Sequence, residues 1–475
     1  MADAQSAASF AERIDNALTP VSDFVSDIIF FSVDVFGVSL PLVVVWLMAA
    51  GVIVSVYMRF INFRGFRHAF HLIFNPKDHI EASGEISHFQ ALSAALSGTI
   101  GLGNVASVPL AIILGGPGAV FWMILAGFFG MATKFAECAL AVKYRKVMPD
   151  GRVIGGPMYY IEAVFARMGW KTFGKGAAIF FALMAIGGSI SIFQVNQSHA
   201  QFANVTGISA PVTFGVIMAA LVGVVVLGGI KRIGYVAGKL VPFMAVVYIG
   251  AALIIIALNI TALPDAVMTI FKSAFGLDAL GGGLVGALIN GMRRATYSCE
   301  AGVGSAAIAH ASVRTNEPMT EGYVALIEPF LDTIVVCTIT ALVVIVTGVY
   351  EPFLFTDNVQ GIEITSQAFE NTFSWFPVIL LVSSTLFAFT SLVSWAFYGA
   401  QAFAYLSGGS KYGDIIFKVL LCVALSTGAA VSVGAILNFI DSMLFAMAIP
   451  NILALYFLLP ELKRDVKAYE TKHGI

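Results

Sequence analysis

The sequence predicts an all-α polytopic membrane protein with about 11 transmembrane helices. We expect one extra N-terminal helix followed by a five-plus-five inverted repeat with two discontinuous helices. Three observations support this prediction. Hydrophobic residues make up 59% of the chain and charged residues only 11%, against about 25% charged in soluble domains. Apolar segments of bilayer-spanning length recur along the whole chain. Two of them are interrupted by polar, glycine-rich stretches.

Turn residues and charged clusters separate the apolar segments and set their order along the chain. We place the spans at about 40–58, 89–114, 119–142, 177–201, 212–229, 240–258, 284–310, 324–346, 376–405, 415–433 and 436–458. The predicted regions are a polar N-terminus (1–39), the extra helix (40–68), a first repeat (69–260), an inverted second repeat (261–460) and a tail (461–475). The stretch 69–88 is too polar to span, and a short apolar helix is expected at about 262–275.

The basic residues give the orientation of these spans. Clusters follow the odd-numbered spans, among them Arg59, Arg64 and Arg67, then Lys143, Arg145 and Lys146, then Lys231 and Arg232, and last Lys463, Arg464 and Lys467. Positive charge is retained on the cytoplasmic side of a membrane. We therefore predict an outside N-terminus and a cytoplasmic C-terminus, and the acidic stretch 350–374 then lies outside.

Composition also excludes several classes of function. The chain has no basic domain, so nucleic-acid binding is not indicated. Its four cysteines lie inside apolar segments, without metal-ligand spacing or a disulfide pattern. No nucleophile elbow or phosphate loop is present, so an enzyme is not expected. The first 30 residues contain acids and no basic-then-apolar run, and we expect no cleavable signal peptide.

The second span contains Ser97-Gly98-Thr99-Ile100-Gly101-Leu102-Gly103-Asn104. A glycine inside a helix costs about 1 kcal/mol relative to alanine, and hydrocarbon offers no water to a broken backbone. Two interpretations are open. The small residues allow close helix packing, or the segment is unwound and its backbone groups bind a solute.

The seventh span contains a similar stretch, Ser298-Cys299-Glu300-Ala301-Gly302-Val303-Gly304-Ser305. The two stretches lie five spans apart, so their helices cross the membrane in opposite directions. Packing alone does not predict this offset, whereas paired broken helices in inverted halves are typical of secondary transporters. Half-helix N-termini suit a carboxylate, and unwound carbonyls suit Na+ or an ammonium group. The pair therefore favours a zwitterionic amino acid with a coupling ion.

At these residues the chain resembles the alanine/glycine:cation symporter family, the sodium–alanine symporters. The resemblance runs in order from about residue 40 to 460. Its motifs are the segments 98–104, 115–122, 155–160, 229–233 and 298–305 with 309–311, and more weakly 395–399. It implies a leucine-transporter-type fold and Na+-coupled uptake of a small neutral amino acid such as alanine or glycine. It also implies the inner membrane of a bacterium, and we expect a functional monomer in the lipid bilayer with no cofactor besides Na+.

The resemblance and the two breaks together give a set of candidate site residues. Those expected to bind substrate are Thr99, Gly101, Gly103, Asn104, Gln194, Ser298, Cys299, Glu300, Gly302 and Trp395. Those expected to bind Na+ are Gly98, Thr99, Asn104, Thr390 and Ser391, because the implied fold places span nine beside the first break.

The chain departs from the family pattern at four positions. The family usually has threonine, asparagine, glycine and an acid where this chain has Leu102, Cys299, Ser394 and Ala400. Leu102 and Cys299 each replace a polar group in or near the expected pocket. Because pockets that hydrogen-bond a ligand discriminate strongly on polar groups, these two positions bear on which amino acid is carried.

Most candidate residues also have a structural interpretation. Glu300 binds substrate or pairs with Arg293, Arg294 or Lys134. Gln194 and Asn196 line the pocket or bond between helices. Thr390, Ser391 and Ser394 bind Na+ or bond back to the preceding turn. Three further polar residues lie within predicted spans. Lys134 and Glu137 are expected to neutralise each other as an i,i+3 pair or to contribute to gating. Asp441 has no evident partner.

Two alternatives to Na+-coupled amino acid symport are kept. One is a transporter of the same fold that is H+-coupled or carries another amino acid or an amine. The other is an ion channel, which the inverted pair of breaks disfavours because a selectivity filter repeats around a symmetric pore.

Overall fold

A computed structural model describes residues 20, 23–35, 38–74, 82–276, 283–356, 359–430 and 433–475. Most of the predicted polar N-terminus (residues 1–39) and several residues of the predicted surface stretch (69–88) lie outside the described residues. The described chain is almost entirely helical, as predicted. Its strands form two short antiparallel hairpins, β1 (Ser32–Val35) with β2 (Val38–Pro41) and β3 (Lys146–Val147) with β4 (Val153–Ile154).

The helices of the first half include the first broken span. In chain order they are α1 (Leu42–Tyr57), α2 (Ile61–Arg64), α3 (Phe66–Phe74), α4 (His88–Thr99), a π-helix (Gly103–Ser107), α5 (Val108–Gly115), α6 (Ala119–Lys143), α7 (Pro157–Arg167), α8 (Lys171–Ser189), α9 (Ile192–Thr206), α10 (Pro211–Val226) and α11 (Gly229–Leu258).

The helices of the second half include the second broken span. They are α12 (Leu263–Phe275), α13 (Gly283–Cys299), α14 (Ser305–His310), α15 (Pro318–Ala325), α16 (Ile327–Pro329), a second π-helix (Phe330–Cys337), α17 (Thr338–Thr347), α18 (Gly361–Glu370), α19 (Phe376–Leu406), α20 (Lys411–Thr427) and α21 (Val433–His473). Short 3-10 turns lie at Ile260–Ala262, Glu351–Phe353 and Gly428–Ala430.

By length and hydropathy, six helical segments among the described residues can each cross a membrane. The helices on either side of the first break, α4 and the π-helix with α5, form a bent seventh candidate. The other predicted spans correspond to helices of fewer than 18 residues, namely α1, α10, α13 with α14, and α20. The chain is thus a multi-pass helical membrane protein.

Several predicted boundaries differ from the structure, and two of the differences concern charged segments. Lys231 and Arg232 lie in the first turns of α11 rather than in a loop, because α11 begins at Gly229. The predicted tail 461–475 continues α21 as far as His473. Leu462, Val466 and Tyr469 recur at helical spacing and are buried, so an apolar stripe holds this charged segment against the protein.

The basic clusters that follow several spans meet at one end of the molecule, which we call the basic end. Arg64 pairs with Glu470 on α21 at 3.2 Å, and Lys143 and Arg167 both bind Glu461 at 2.6 and 2.8 Å. The Arg145 guanidinium donates to the carbonyls of four residues, Ser83, Ala311, Val313 and Thr315. Burial lowers the pKa of Arg145. These contacts tie the ends of α6 and α21 to the segments around both broken spans.

Candidate substrate and ion site between two broken helices

The first break lies between α4 and its π-helical continuation, which diverge by 44°. Residues 100–102 separate the two helices. The Ile100 N–H still donates to the Leu96 carbonyl at 2.6 Å, whereas the next two N–H groups donate to side chains. The side chain of Asn104 accepts from the Gly101 N–H at 2.9 Å, and Gln194 on α9 accepts from the Leu102 N–H at 3.1 Å. Two backbone N–H groups therefore donate to side-chain oxygens, and an oxygen atom of a ligand can take the place of either side-chain oxygen.

The second break lies between α13 and α14. Glu300, Gly302 and Gly304 all have positive φ angles of 53°, 88° and 86°. A left-handed conformation costs a non-glycine residue about 1–2 kcal/mol, so the Glu300 backbone is held by its surroundings. Its carboxylate accepts hydrogen bonds from the Ser305 hydroxyl and, at 3.0 Å, from Trp395 Nε1 on α19.

A buried carboxylate in the second π-helix joins the two breaks. Asp332 accepts from Asn104 Nδ2 at 2.7 Å and from Ser298 Oγ at 2.5 Å, and its neighbour Thr333 donates at 2.8 Å. Its side chain is fully buried. Among the described residues, no lysine, arginine or histidine forms an ion pair with it. Where the broken helices meet, Asp332 is therefore a buried carboxyl group with hydrogen-bond donors and, within the described part of the chain, no basic partner.

Helix α19 borders the first break with hydroxyl groups. Ser391 Oγ donates to the Gly98 carbonyl at 3.0 Å. One turn later Ser394 donates to the Ala94 carbonyl at 2.8 Å and contacts the Ser97 hydroxyl. The carbonyls at the C-terminal end of α4 thus meet side-chain oxygens of α19, an arrangement of hard oxygen atoms that suits Na+.

Not every predicted Na+ residue reaches this place. Thr390 points to the other side of α19, where its hydroxyl donates to Phe387 O at 3.2 Å and faces Met244 Sδ at 3.6 Å. The reason is geometric, since consecutive residues on a helix are rotated by about 100°. The Thr99 hydroxyl faces the carbonyls of Ala95 and Leu96, each at 3.4 Å, within its own helix.

The predicted substrate residues divide into two groups. Gly101 lies against Gln194, and a Cβ atom added to Gly101 would be 3.1 Å from Gln194 Nε2. Gly103, Asn104 and Ser298 lie close by, as their shared contacts show. Trp395 reaches the same region from α19 through its bond to Glu300.

Cys299 and Gly302 face elsewhere. Cys299 lines a small cavity of about 30 Å³ with Gly130 and Thr133 of α6 and residues of α1. A Cβ on Gly302 would lie 2.6 Å from Leu47 of α1. The structure therefore places these two residues toward α1 and not beside Gln194.

Three further features of the site are missing from the sequence predictions. Asp332 is an acid inside the predicted eighth span, and the rule that singles out Glu300 applies to it equally. Tyr297 packs against Gly103, with its ring 3.3 Å from an added Cβ. Helix α18 covers the first π-helix, where Thr365 Oγ1 donates to the Val105 carbonyl at 2.6 Å. Only the Asp332 signal is readable from the sequence.

The remaining buried charges have partners that differ from those predicted. Lys134 pairs with Glu328 at 2.8 Å rather than with Glu137. Asp441 binds Arg294 at 2.6 Å and Arg293 at 2.9 Å. Those two arginines are consequently engaged away from Glu300.

Known proteins resemble this chain over nearly its whole length. The model of the sodium:alanine symporter family matches residues 23–474. The sodium/alanine symporter AgcS of Methanococcus maripaludis is 38% identical over 94% of this chain and 97% of its own. The probable sodium/glutamine symporter GlnT of Bacillus subtilis is 33% identical over 79% of this chain and 77% of its own.

A solved structure supports the fold. MhsT in complex with L-phenylalanine superposes with a TM-score of 0.54 at 15% identity, over 80% of this chain and 98% of that chain. At this identity the likeness shows the fold alone, which is of the leucine-transporter type. The family prediction made from the motifs is confirmed. The chain belongs to the sodium:alanine symporter family and is a Na+-coupled amino acid symporter.

Proposed function

We propose that this symporter carries a small neutral amino acid, such as alanine or glycine, and that the solute binds where the two broken helices meet. The observation that carries the proposal is the bridge from the first break through Asn104 and Asp332 to Ser298 of the second. Binding there contacts both halves of the fold at once. That is the requirement for a solute that controls their relative movement.

The carboxylate of the amino acid is assigned to the first break. The N–H groups of Gly101 and Leu102 begin the second half of the broken span, where the helix dipole favours negative charge. In the absence of solute, Asn104 and Gln194 supply the accepting oxygens. A bound carboxylate replaces one of these oxygens without leaving a buried amide unpaired.

Positive charge is assigned to two places. Asp332 needs a cation to balance its buried charge, supplied either by Na+ or by the ammonium group of the amino acid. The oxygens of Gly98 and Ser391, 3.0 Å apart, form the second place, where Na+ can bridge α4 and α19. An ion at that position holds the first broken helix against α19 and so favours one conformational state.

The space around the break supports a small side chain. Gln194 crowds Gly101, and Tyr297 crowds Gly103, at 3.1 and 3.3 Å from added Cβ atoms. Cys299, one of the departures from the family pattern, faces α6 and α1 and also lies near Thr333 and Asp332, so its loss of a polar group acts on the Asp332 side of the site and not beside Gln194. Leu102 contributes its backbone N–H.

We extend the proposal to the arrangement in the membrane. Eleven spans, with α1 added to two inverted repeats of five, agree with the paired breaks and with the gathering of basic residues at one end. The basic end is assigned to the cytoplasm by the positive-inside rule, in a bacterial inner membrane with the N-terminus outside. All the residues assigned to the site belong to one chain, so we propose that the monomer is functional.

The test is uptake by proteoliposomes that contain the full chain. We expect a Na+ gradient to drive accumulation of labelled alanine or glycine, and replacement of Na+ by choline at fixed pH to abolish it. Undiminished uptake in choline contradicts Na+ coupling. A panel of D- and L-alanine, glycine, serine and glutamine decides the substrate, and preference for glutamine overturns the assignment to small side chains.

A further inference from the structure

Buried ionisable side chains form a line from the basic end toward the second break. The outermost is His88, which lines a cavity of about 440 Å³ together with Glu317, Lys472 and His473. The Nδ1 atom of His88 contacts one carboxylate oxygen of Glu321. The other oxygen of Glu321 lies 2.6 Å from Nδ1 of His310, which is fully buried.

The line continues inward across three helices. His310 Nε2 lies 3.7 Å from Glu328 Oε2, which is longer than a hydrogen bond, so a proton transfer between them requires a movement of the imidazole. Glu328 Oε1 lies 2.8 Å from Lys134 Nζ. Lys134 and Glu137 are one turn apart on α6, and residues at that spacing are neighbours on a helix surface.

The inner end of the line reaches the backbone of the second break. Asn451 Nδ2 donates to Glu137 Oε1 at 2.6 Å and to the Gly302 carbonyl at 2.8 Å. The Asn451 amide is further held by the Tyr160 hydroxyl. A change of charge at Glu137 therefore acts, through Asn451, on the segment that separates α13 from α14.

The buried cluster contains more acids than bases. Its members are four carboxyl groups (Glu137, Glu300, Glu321 and Glu328) and three bases (Lys134, His88 and His310), none more than 7% exposed. With every group ionised these seven groups carry a net charge of −1, from four minus three, and Arg145, which faces Glu321 from the basic end, balances it. Because a buried charged carboxylate is costly without partners, the acid with the fewest partners is the one that most readily binds a proton.

The hydrogen bonds identify Glu137 as that group. The other three acids each have both oxygens facing a donor or a base: Glu321 faces His88 and His310, Glu328 faces Lys134 and His310, and Glu300 faces Ser305 and Trp395. Glu137 accepts from Asn451 and lies beside the Gly302 backbone N–H. Among the described residues it forms no ion pair, and its Oε2 has no hydrogen-bond partner. Oε2 of Glu328 also lacks a hydrogen bond, but it lies 3.7 Å from His310. It is the least stabilised carboxylate of the four.

We propose that Glu137 is a proton-binding site that exchanges with the aqueous phase at the basic end through Lys134, Glu328, His310, Glu321 and His88. The proton balance is simple. Lys134 bonds Glu328 and forms no ion pair with Glu137, so the transfer requires the Lys134 side chain to change rotamer. Lys134 then passes a proton to Glu137 and is reprotonated from Glu328, and His310 loses a proton at Nε2 and regains one at Nδ1. One proton taken up at His88 therefore appears at Glu137, with every group between them restored.

The consequence is a transport rate that depends on pH at the basic end. Loss of the proton leaves an unpaired negative charge at Glu137 beside the second break, which biases the equilibrium between conformations of that break. The titratable groups that face Glu137 are Lys134, Cys138, Tyr160 and Glu328, with Glu300 next to Lys134. Arg145 faces Glu321, and Tyr398 faces Glu300 and Glu328. The inference rests on the proposed function, because amino acid uptake is its readout.

The test uses membrane vesicles of both orientations that contain the full chain, with the pH of each side set independently from about 5 to about 8. Protease access to a C-terminal tag reports which side the basic end faces. At a constant Na+ gradient, we expect a severalfold change of the uptake rate with pH on that side and none with pH on the other. An uptake rate that changes instead with the pH on the opposite side of the membrane overturns the inference.

Variants locate the effect. Glu137→Gln imitates the protonated carboxyl group, so Na+-driven uptake is expected to persist while its pH dependence disappears. Glu461→Gln is the matched control at the surface of the basic end, bound to Lys143 and Arg167, and is expected to keep the wild-type pH profile. His310→Asn interrupts the path and is expected to weaken the response to pH.

The outcomes separate this inference from the proposed function. Absence of Na+-driven uptake in the wild type contradicts the proposed function. Na+-driven uptake with the same pH profile in the wild type and in Glu137→Gln contradicts the proton site alone. If Glu137→Gln fails to fold, the sidedness of the wild-type pH profile decides the question.

Discussion

The side-chain amide of Asn104 donates to the buried carboxylate of Asp332 at 2.7 Å while its oxygen accepts from the Gly101 N–H at 2.9 Å. One side chain therefore satisfies a backbone donor of the first break and a carboxylate that also binds Ser298 of the second. Asn104 is fully buried, so no solvent can replace either bond.

Replacing Asn104 should damage both stability and transport. In Asn104→Ala, the Gly101 N–H and one Asp332 oxygen lose their partners, and each unsatisfied buried group costs about 1–3 kcal/mol. We expect a lower melting temperature in detergent and no amino acid uptake. Asn290→Ala is the control, because Asn290 bonds its own helix at Gly286 O and is partly exposed. Equal melting temperatures for the two variants would contradict the role assigned to Asn104.

Two adjacent hydroxyls on α19 should behave differently. Ser391→Ala removes the oxygen that meets Gly98 O, so we expect the Na+ concentration for half-maximal uptake to rise severalfold. Thr390→Val removes a hydroxyl that faces Met244 and Phe387 and keeps the side-chain shape. We expect it to retain the wild-type Na+ dependence. The reverse pattern would place the ion on the other face of α19.

The pair Arg294 and Asp441 should be structural. Asp441 is fully buried and binds both Arg294 and Arg293, so it ties α21 to α13. Removing one partner of a buried pair costs about 3–5 kcal/mol. Asp441→Asn is expected to lower the thermal stability strongly, whereas Asp414→Asn, which removes a pair with Lys418 on α20, should change it little. Wild-type stability of Asp441→Asn would refute this.

Helix α18 should be essential as a cover on the first broken span. A Cβ on Gly361 would lie 1.8 Å from the Ala106 carbonyl oxygen, which no side chain can accommodate. We therefore expect Gly361→Ala to displace α18 and abolish uptake. Gly250→Ala is a control on α11, where an added Cβ meets nothing within 4 Å, and it should be neutral or slightly stabilising.

The end of α21 should detach from the protein in acid. Burial alone raises the pKa of Glu317, but its bonds to Lys472 and His473 outweigh burial and lower this pKa below its ordinary value of 4.5. A carboxylate with a lowered pKa stabilises the folded state above the unfolded pKa, and this contribution is lost as the pH falls through the folded value. We expect amide hydrogen exchange in residues 462–475, corrected for the intrinsic rate at each pH, to accelerate below that value.

The control for this prediction is Glu317→Gln. It lacks the carboxylate, so its α21 end should already exchange faster at neutral pH and should respond less to acid. Identical acid responses of the two proteins would contradict the assignment to Glu317.

The sequence predicts the two breaks well, because glycine and polar residues at membrane depth have few other uses. The predicted stretches 97–104 and 298–305 contain the observed interruptions at 100–102 and 300–304. The sequence also predicts the helical fold and the location of the basic clusters at one end of the molecule, since hydropathy and charge are local properties of the chain.

Side-chain partners cannot be predicted in the same way. Thr390 and Ser391 differ only by a rotation about α19, and composition does not fix that rotation. Lys134 has Glu137 one turn away, yet its ion pair is with Glu328, which is distant in sequence. The tail 461–475 resembles a solvated segment in composition, because its polar residues outnumber the apolar stripe that includes the buried Tyr469.

We expect a cation to bind at Asp332, where the two broken helices meet. Na+-dependent binding of labelled alanine can be measured on purified full chains of the wild type and of Asp332→Asn, a substitution of equal size. We expect Na+-dependent binding in the wild type and its loss in Asp332→Asn, with the protein still folded by thermal denaturation. Undiminished Na+-dependent binding in a folded Asp332→Asn protein would contradict this expectation.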